Sequence, residues 1–142
     1  MIVTDAGEDP TYQWSDVAQL MQQAREDFGA KIEWLGLPAL AGLPGPLQKW
    51  INPASLGTLD QIKRKGGLHH ASLAQVTYPD GELSWILLLK PSLRPELTQD
   101  ILTYAETNDK FPNDPTLDQI FDDIQWESYR ALGQQIALQV FI

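Results

Sequence analysis

The stretch Ser72–Lys90, SLAQVTYPDGELSWILLLK, constrains the fold more than any other part of this 142-residue chain. Two β-rich runs flank Pro79-Asp80-Gly81, a tight-turn sequence, so the stretch reads as an antiparallel hairpin. The second run, Trp85-Ile86-Leu87-Leu88-Leu89, is apolar at every position. A strand that is apolar on both faces must be covered on both faces, so it belongs in the interior of a sheet. Pro91 and Pro95 end it.

The rest of the chain is read around that strand. Ile2-Val3-Thr4 is a short strand closed by the turn formers of DAGEDP. Ser15 or Asp16 can cap a helix whose apolar stripe is Val17, Leu20, Met21, Ala24 and Phe28, with Gly29 at its end. Ile32 and Trp34 alternate with polar neighbours as in a half-buried strand. Strand, helix, strand is a βαβ unit, which predicts parallel strands and a right-handed crossover. Residues 36–57 hold four glycines and four prolines, and are expected to form a long ordered loop without regular structure, or in the alternative a mobile flap. Leu97, Ile101, Tyr104 and Ala105 mark the inner face of a helix. Thr116 with Gln119 forms a capping box, followed by the stripe Leu117, Ile120, Phe121 and Ile124. Trp126, Tyr129 and Leu132 sit on a further helix ending near Gly133. The tail IALQVFI fits a strand or a helix extension equally. The expectation is one domain over residues 1–142: α/β, a mixed sheet with an N-terminal βαβ unit, a β-hairpin and C-terminal helices. Most of the five tryptophans are expected in its core.

Composition narrows function. The net charge of −9 repels phosphate backbones and anionic lipid, which argues against nucleic-acid partners. Cysteine is absent, which removes disulfides and thiolate metal sites and fits a reducing compartment. Residues 1–30 carry seven charged side chains and no signal-peptide pattern, and the longest apolar run is far short of a bilayer span. These features suggest a cytoplasmic chain without a transmembrane segment.

Candidate chemistry is sparse. No serine has glycines at both flanking positions, so the nucleophile elbow of serine hydrolases is missing. His69 and His70 are the only histidines, and neighbours on a strand face opposite ways, so they cannot share one site. One is expected inward and one solvated. Asp122-Asp123, with Asp118 and Glu127 nearby, lacks the calcium-loop pattern and reads as a solvated helix face. Lys63-Arg64-Lys65-Gly66-Gly67 is basic but lacks Walker spacing, and reads as an exposed turn. Asp5 follows the first strand, where α/β enzymes often place a carboxylate. No base, nucleophile or oxyanion donor accompanies it in sequence, so it reads as an aspartate closing a turn. No residue is assigned as catalytic, cofactor-binding or metal-ligating, and no cofactor is implied.

Two stretches resemble a known family. IVTDAGEDPTYQWSDVAQLMQQAREDFGAKIE is similar to a segment of large bacterial patatin-like proteins, acyl hydrolases of the patatin phospholipase family. YPDGELSWILLLKPSL and DILTYAETNDKFPNDPTLDQIFDDIQWESYRALG are similar to the C-terminal end of the same proteins. The resemblance covers most of the chain, residues 36–57 least. The family's chemistry is a Ser-Asp dyad on G-x-S-x-G and Asp-Gly-Gly or Asp-Gly-Ala motifs, neither of which is in this sequence. In those relatives the dyad aspartate lies upstream of the strand that precedes Asp5, so no catalytic role carries over. The resemblance implies a non-catalytic C-terminal part of a lipid acyl hydrolase, partnered by a separately encoded catalytic part or by a second copy. The alternative is an independent soluble binding protein reusing the fold. A third reading, an enzyme using Asp5 with His69 or His70, lacks a nucleophile.

Overall fold

A computed structural model describes residues 1–115, 117 and 120–142. It is an α/β fold built on one four-stranded mixed sheet. The strands are β1 (Ile2–Thr4), β2 (Lys31–Trp34), β3 (Ala71–Thr77) and β4 (Leu83–Leu89), in spatial order β1-β4-β3-β2. β4 is interior as its composition requires, with β1 parallel on one side and β3 antiparallel on the other. The hairpin turn closes through Gly81 N–H to Tyr78 O and Tyr78 N–H to Glu82 O, with Gly81 at φ +84°, a conformation only glycine adopts freely.

β1 and β2 run in the same direction but occupy opposite edges, with β4 and β3 between them. The expected βαβ unit is thus opened wide. The cause lies in β4, whose two apolar faces and two ladder edges claim the central place. The helix between the edge strands, α1 (Ser15–Phe28), packs Met21 and Ala24 on a small cluster of Ala30, Ile32, Ala74, Val76 and Ile86. Leu20 and Phe28 of the expected stripe stay exposed, because one helix covers only part of this face.

The other face carries the main core. Leu73, Leu87 and Leu89 meet Leu40, Leu43, Ile51 and Leu56 from the Pro/Gly-rich segment. They also meet Ile101 and Ala105 of α4 (Gln99–Thr107), and Leu132, Ile136 and Val140 of α5 (Asp123–Val140). Residues 36–57 are not a plain loop. They form α2 (Leu37–Ala41), α3 (Gly45–Gln48) and a 3₁₀ turn at Pro53–Ser55. Each begins with a proline in its first turn, where the missing N–H costs nothing, so the prolines start helices instead of barring them.

Other expectations are corrected. Neither Ser15 nor Asp16 caps α1; its N-cap is Trp14, in left-handed conformation, with no side-chain cap. The Thr116–Gln119 box lies outside the described residues. Leu117 and Ile120 are exposed, and helix begins only at Asp123, where the Asp122 carboxylate accepts the Gln125 amide at 2.7 Å. That cap starts a helix which runs through Gly133 to Val140, so the tail is helical, and Phe141 then bridges to Ile51. No tryptophan is fully buried: Trp50 and Trp126 are exposed and Trp14 is half-buried, while Trp34 and Trp85, also half-buried, pack against the edges of the two core clusters. No helix among the described residues is long and apolar enough to cross a membrane.

Leu87→Asp places an unpaired charge inside the main core and is expected to cost upward of about 4 kcal/mol in urea unfolding followed by circular dichroism. Leu83→Asp, on the same strand but exposed, is expected to change stability by less than about 0.5 kcal/mol.

Candidate functional site

β1 and β4 are parallel, and their carboxyl ends lie together. In open α/β sheets this end is where ligand sites form. Asp5 leaves β1 here, its N–H donating to Leu89 O at 2.9 Å, and Lys90 leaves β4 beside it. Lys90 is completely buried. Its ammonium donates to Asp5 Oδ2 at 3.0 Å and to Gly7 O at 3.2 Å. The rings of Tyr12 and Trp14 cover it, with centroids 5.6 and 5.9 Å from Nζ. A buried ammonium is tolerated only when paired, and the carboxylate, the carbonyl and two π faces supply that pairing. The other oxygen of Asp5 accepts Gly7 N–H at 3.0 Å, so Asp5 closes a turn, as read from the sequence, and also neutralises a buried cation.

The strap over Lys90 is strained. Tyr12 and Trp14 adopt φ of 54° and 62°, a region that costs a non-glycine residue on the order of 1–3 kcal/mol. Asp9 offsets this. Its two carboxylate oxygens accept the amides of Gln13 and Trp14, both at 2.9 Å. Tyr12 is further fixed by donating to Pro91 O at 2.6 Å and accepting from Asn113 Nδ2 at 3.3 Å. Burial pushes its hydroxyl up to about 12, so Tyr12 stays protonated and a donor.

The same sheet end carries His70 and Ser92. His70 O accepts Lys90 N–H at 2.8 Å, which extends the hairpin ladder, and His70 Nδ1 lies 2.6 Å from Ser92 Oγ. Both side chains are sealed from solvent, and Nε2 has no partner among the described residues. Desolvation holds His70 down near 4, so it is neutral at physiological pH. A serine with a neutral, buried histidine has the atoms of a nucleophile and base but no access to a substrate. His69 is half-buried against Gly57, and burial lowers its pKa too. Both histidines precede β3, so the alternation expected on a strand does not govern them; still, one points in and the other is partly open.

The remaining candidates scatter. Asp122 caps α5, Glu127 pairs with Arg130 at 2.6 Å, and Asp118 lies outside the described residues. No group of three His, Cys, Asp or Glu side chains able to hold a metal occurs among the described residues. The feature missed in sequence is Lys90. Its signal was a lysine ending a strand buried on both faces, which forces a counter-charge nearby. Comparison with known proteins finds no match among family models, curated proteins or solved structures.

Two outcomes test this account. Asp5→Ala strands the buried ammonium and is expected to cost about 3–5 kcal/mol, while Asp5→Ala combined with Lys90→Met costs less than Asp5→Ala alone; chemical denaturation of the three proteins decides. For His70 the folded pKa is depressed below the unfolded value of 6.5. Its contribution is therefore complete above about pH 6.5 and lost as pH falls toward 4, up to about 3 kcal/mol. Thermal melts from pH 7 to 4 should show that loss, and His70→Gln should flatten it.

Proposed function

We propose that this chain is a non-catalytic module, the C-terminal part of a patatin-like lipid acyl hydrolase whose Ser-Asp dyad is supplied elsewhere. The observation that supports the reading is the state of Asp5. This carboxylate stands at the carboxyl end of the parallel pair, and both its oxygens are engaged, by Lys90 and by the Gly7 amide. The Ser92–His70 contact beside it is closed to solvent. The motifs TDAGEDP, LLLKPSL and ESYRALG, which carry the resemblance, map onto that neighbourhood or onto the helix that covers the main core.

The module's open side is β1. It is an edge strand, and its outer ladder has no partner among the described residues. Beside it lies an apolar groove of about 360 Å³ between α1 and the sheet, lined by Met1, Leu20, Phe28 and Trp85 among others. Exposed edges recruit strands, and exposed apolar patches mark interfaces. The partner in this reading is a separately encoded catalytic part or a second copy, joined through residues 2–4 and α1. The same groove favours the second reading, an independent binding protein derived from the fold.

The purified chain is expected not to hydrolyse p-nitrophenyl esters above background; saturable hydrolysis abolished by Ser92→Ala would refute the reading. Sedimentation equilibrium at micromolar concentration, alone and with a patatin-like catalytic part encoded beside it, tests association. A chain that stays monomeric and ignores that part favours the binding protein.

A further inference from the structure

The basic turn Lys63–Gly67 has no part in the function proposed above, although its cleft shares Tyr12 with the cover over Lys90. The protein carries ten lysines and arginines against nineteen acids, yet three of the ten are consecutive here. Four of the others are held in ion pairs: Lys31, Lys90, Arg94 and Arg130. Lys63 and Lys65 form no ion pair among the described residues, and Arg64 is turned to neutral acceptors, the carbonyls of Phe111 and Asn108. So an acidic protein leaves a compact set of cations without counter-charge.

The turn is also built. Leu68 N–H donates to Gln61 O at 2.8 Å and Leu93 N–H to Arg64 O at 2.7 Å, which pins the turn at both ends. Gly67 lies so close to the Lys63 backbone that a Cβ would come within 2.7 Å of its nitrogen, so the turn is folded tightly on itself. The backbone amides of Lys63, Arg64 and Lys65 donate no hydrogen bond among the described residues. Free consecutive amides in a tight turn are the donors of backbone anion sites. Finally, Lys63, Arg64 and Lys65 line a cleft of about 360 Å³ with Thr11, Tyr12 and Ile62. Asp60 is the acid on its rim, one charge against three. Nearby Asp9 is already occupied by the Gln13 and Trp14 amides.

We propose that this turn and its cleft form an anion site for a phosphate group, carried either by a small molecule or by a lipid headgroup. The lysines supply charge, the free amides supply donors, and the rigid turn removes most of the ordering cost. The sequence reading of an exposed basic turn holds for the side chains of Lys63 and Lys65, which are exposed; what the fold adds is the cleft, the unpaired amides and the fixed backbone.

The ¹⁵N-labelled full chain, titrated with inorganic phosphate at constant ionic strength, gives the first arm. Amide shifts confined to residues 63–67 and the cleft should saturate. Lys63→Gln/Lys65→Gln should weaken apparent binding by about fivefold or more, with an unchanged melting temperature. Flotation with phosphatidylcholine vesicles, with and without phosphatidic acid, gives the second arm. Saturation in the first arm alone assigns a small phosphorylated ligand. Flotation only with phosphatidic acid, lost in the double variant, assigns a headgroup. Shifts that never saturate, or that are as large at Lys49 and Lys110, together with no flotation, overturn the proposal; so does binding that the double variant leaves intact.

Discussion

The ammonium of Lys90 is the constraint around which one end of this fold is arranged. A charge with no exposed surface needs partners from every direction. Asp5 reaches it from the neighbouring strand, Gly7 O from the following turn, and Tyr12 and Trp14 from the strap that leads into α1. The backbone of Lys90 meanwhile joins β4 to His70. One side chain thus ties together an edge strand, a strained loop and the start of a helix. The strain at Tyr12 and Trp14 follows from it: their rings must sit over the cation, and their backbones bend into the left-handed region to put them there, with Asp9 holding the bend.

The two faces of the sheet are covered unequally. The main core, under α4, α5 and the short helices of the Pro/Gly-rich segment, is continuous and deep. The opposite face has α1 alone, and its apolar surface continues past Leu20 and Phe28 to the β1 edge. That asymmetry separates the molecule into a side that stabilises and a side that is available for contact. The Asp5–Lys90 pair lies at the boundary, where it serves architecture. The basic turn lies at the same end of the sheet but on a different loop, with Lys63 and Lys65 in no ion pair among the described residues.

The hairpin, the interior place of β4, the helices α1 and α4 and the mixed α/β class were legible because each rests on a local pattern: a turn sequence, an unbroken apolar run, a three-four spacing. What stayed illegible was tertiary. Nothing local says that β2 pairs with β3 and leaves β1 on the far edge. The prolines of residues 36–57 looked like breakers, since their position within a turn of helix cannot be read from their number. Leu117, Ile120, Phe121 and Ile124 had helical spacing, but that spacing has no force where apolar surface lies opposite only part of the stripe: Phe121 is half-buried and stacks on Tyr129, while the other three side chains are exposed. In the candidate site Asp5 was visible as a turn residue, while its partner lies 85 positions away and emerges only when the strands are aligned.

That separation bears on how the chain assembles. Pairing β3 with β4 closes a turn of a few residues, whereas pairing β1 with β4 joins Ile2 to Leu87 across most of the chain. Loop-closure entropy grows with the length closed, and only three register pairs return anything to the shorter ladder. The hairpin is therefore the kinetically cheap pairing and β1 the expensive one, added once β4 is already in place. In the native protein the order reverses: the amides of β1 belong to the segment that opens most readily to hydrogen exchange, and Lys90 is the latch that keeps it shut.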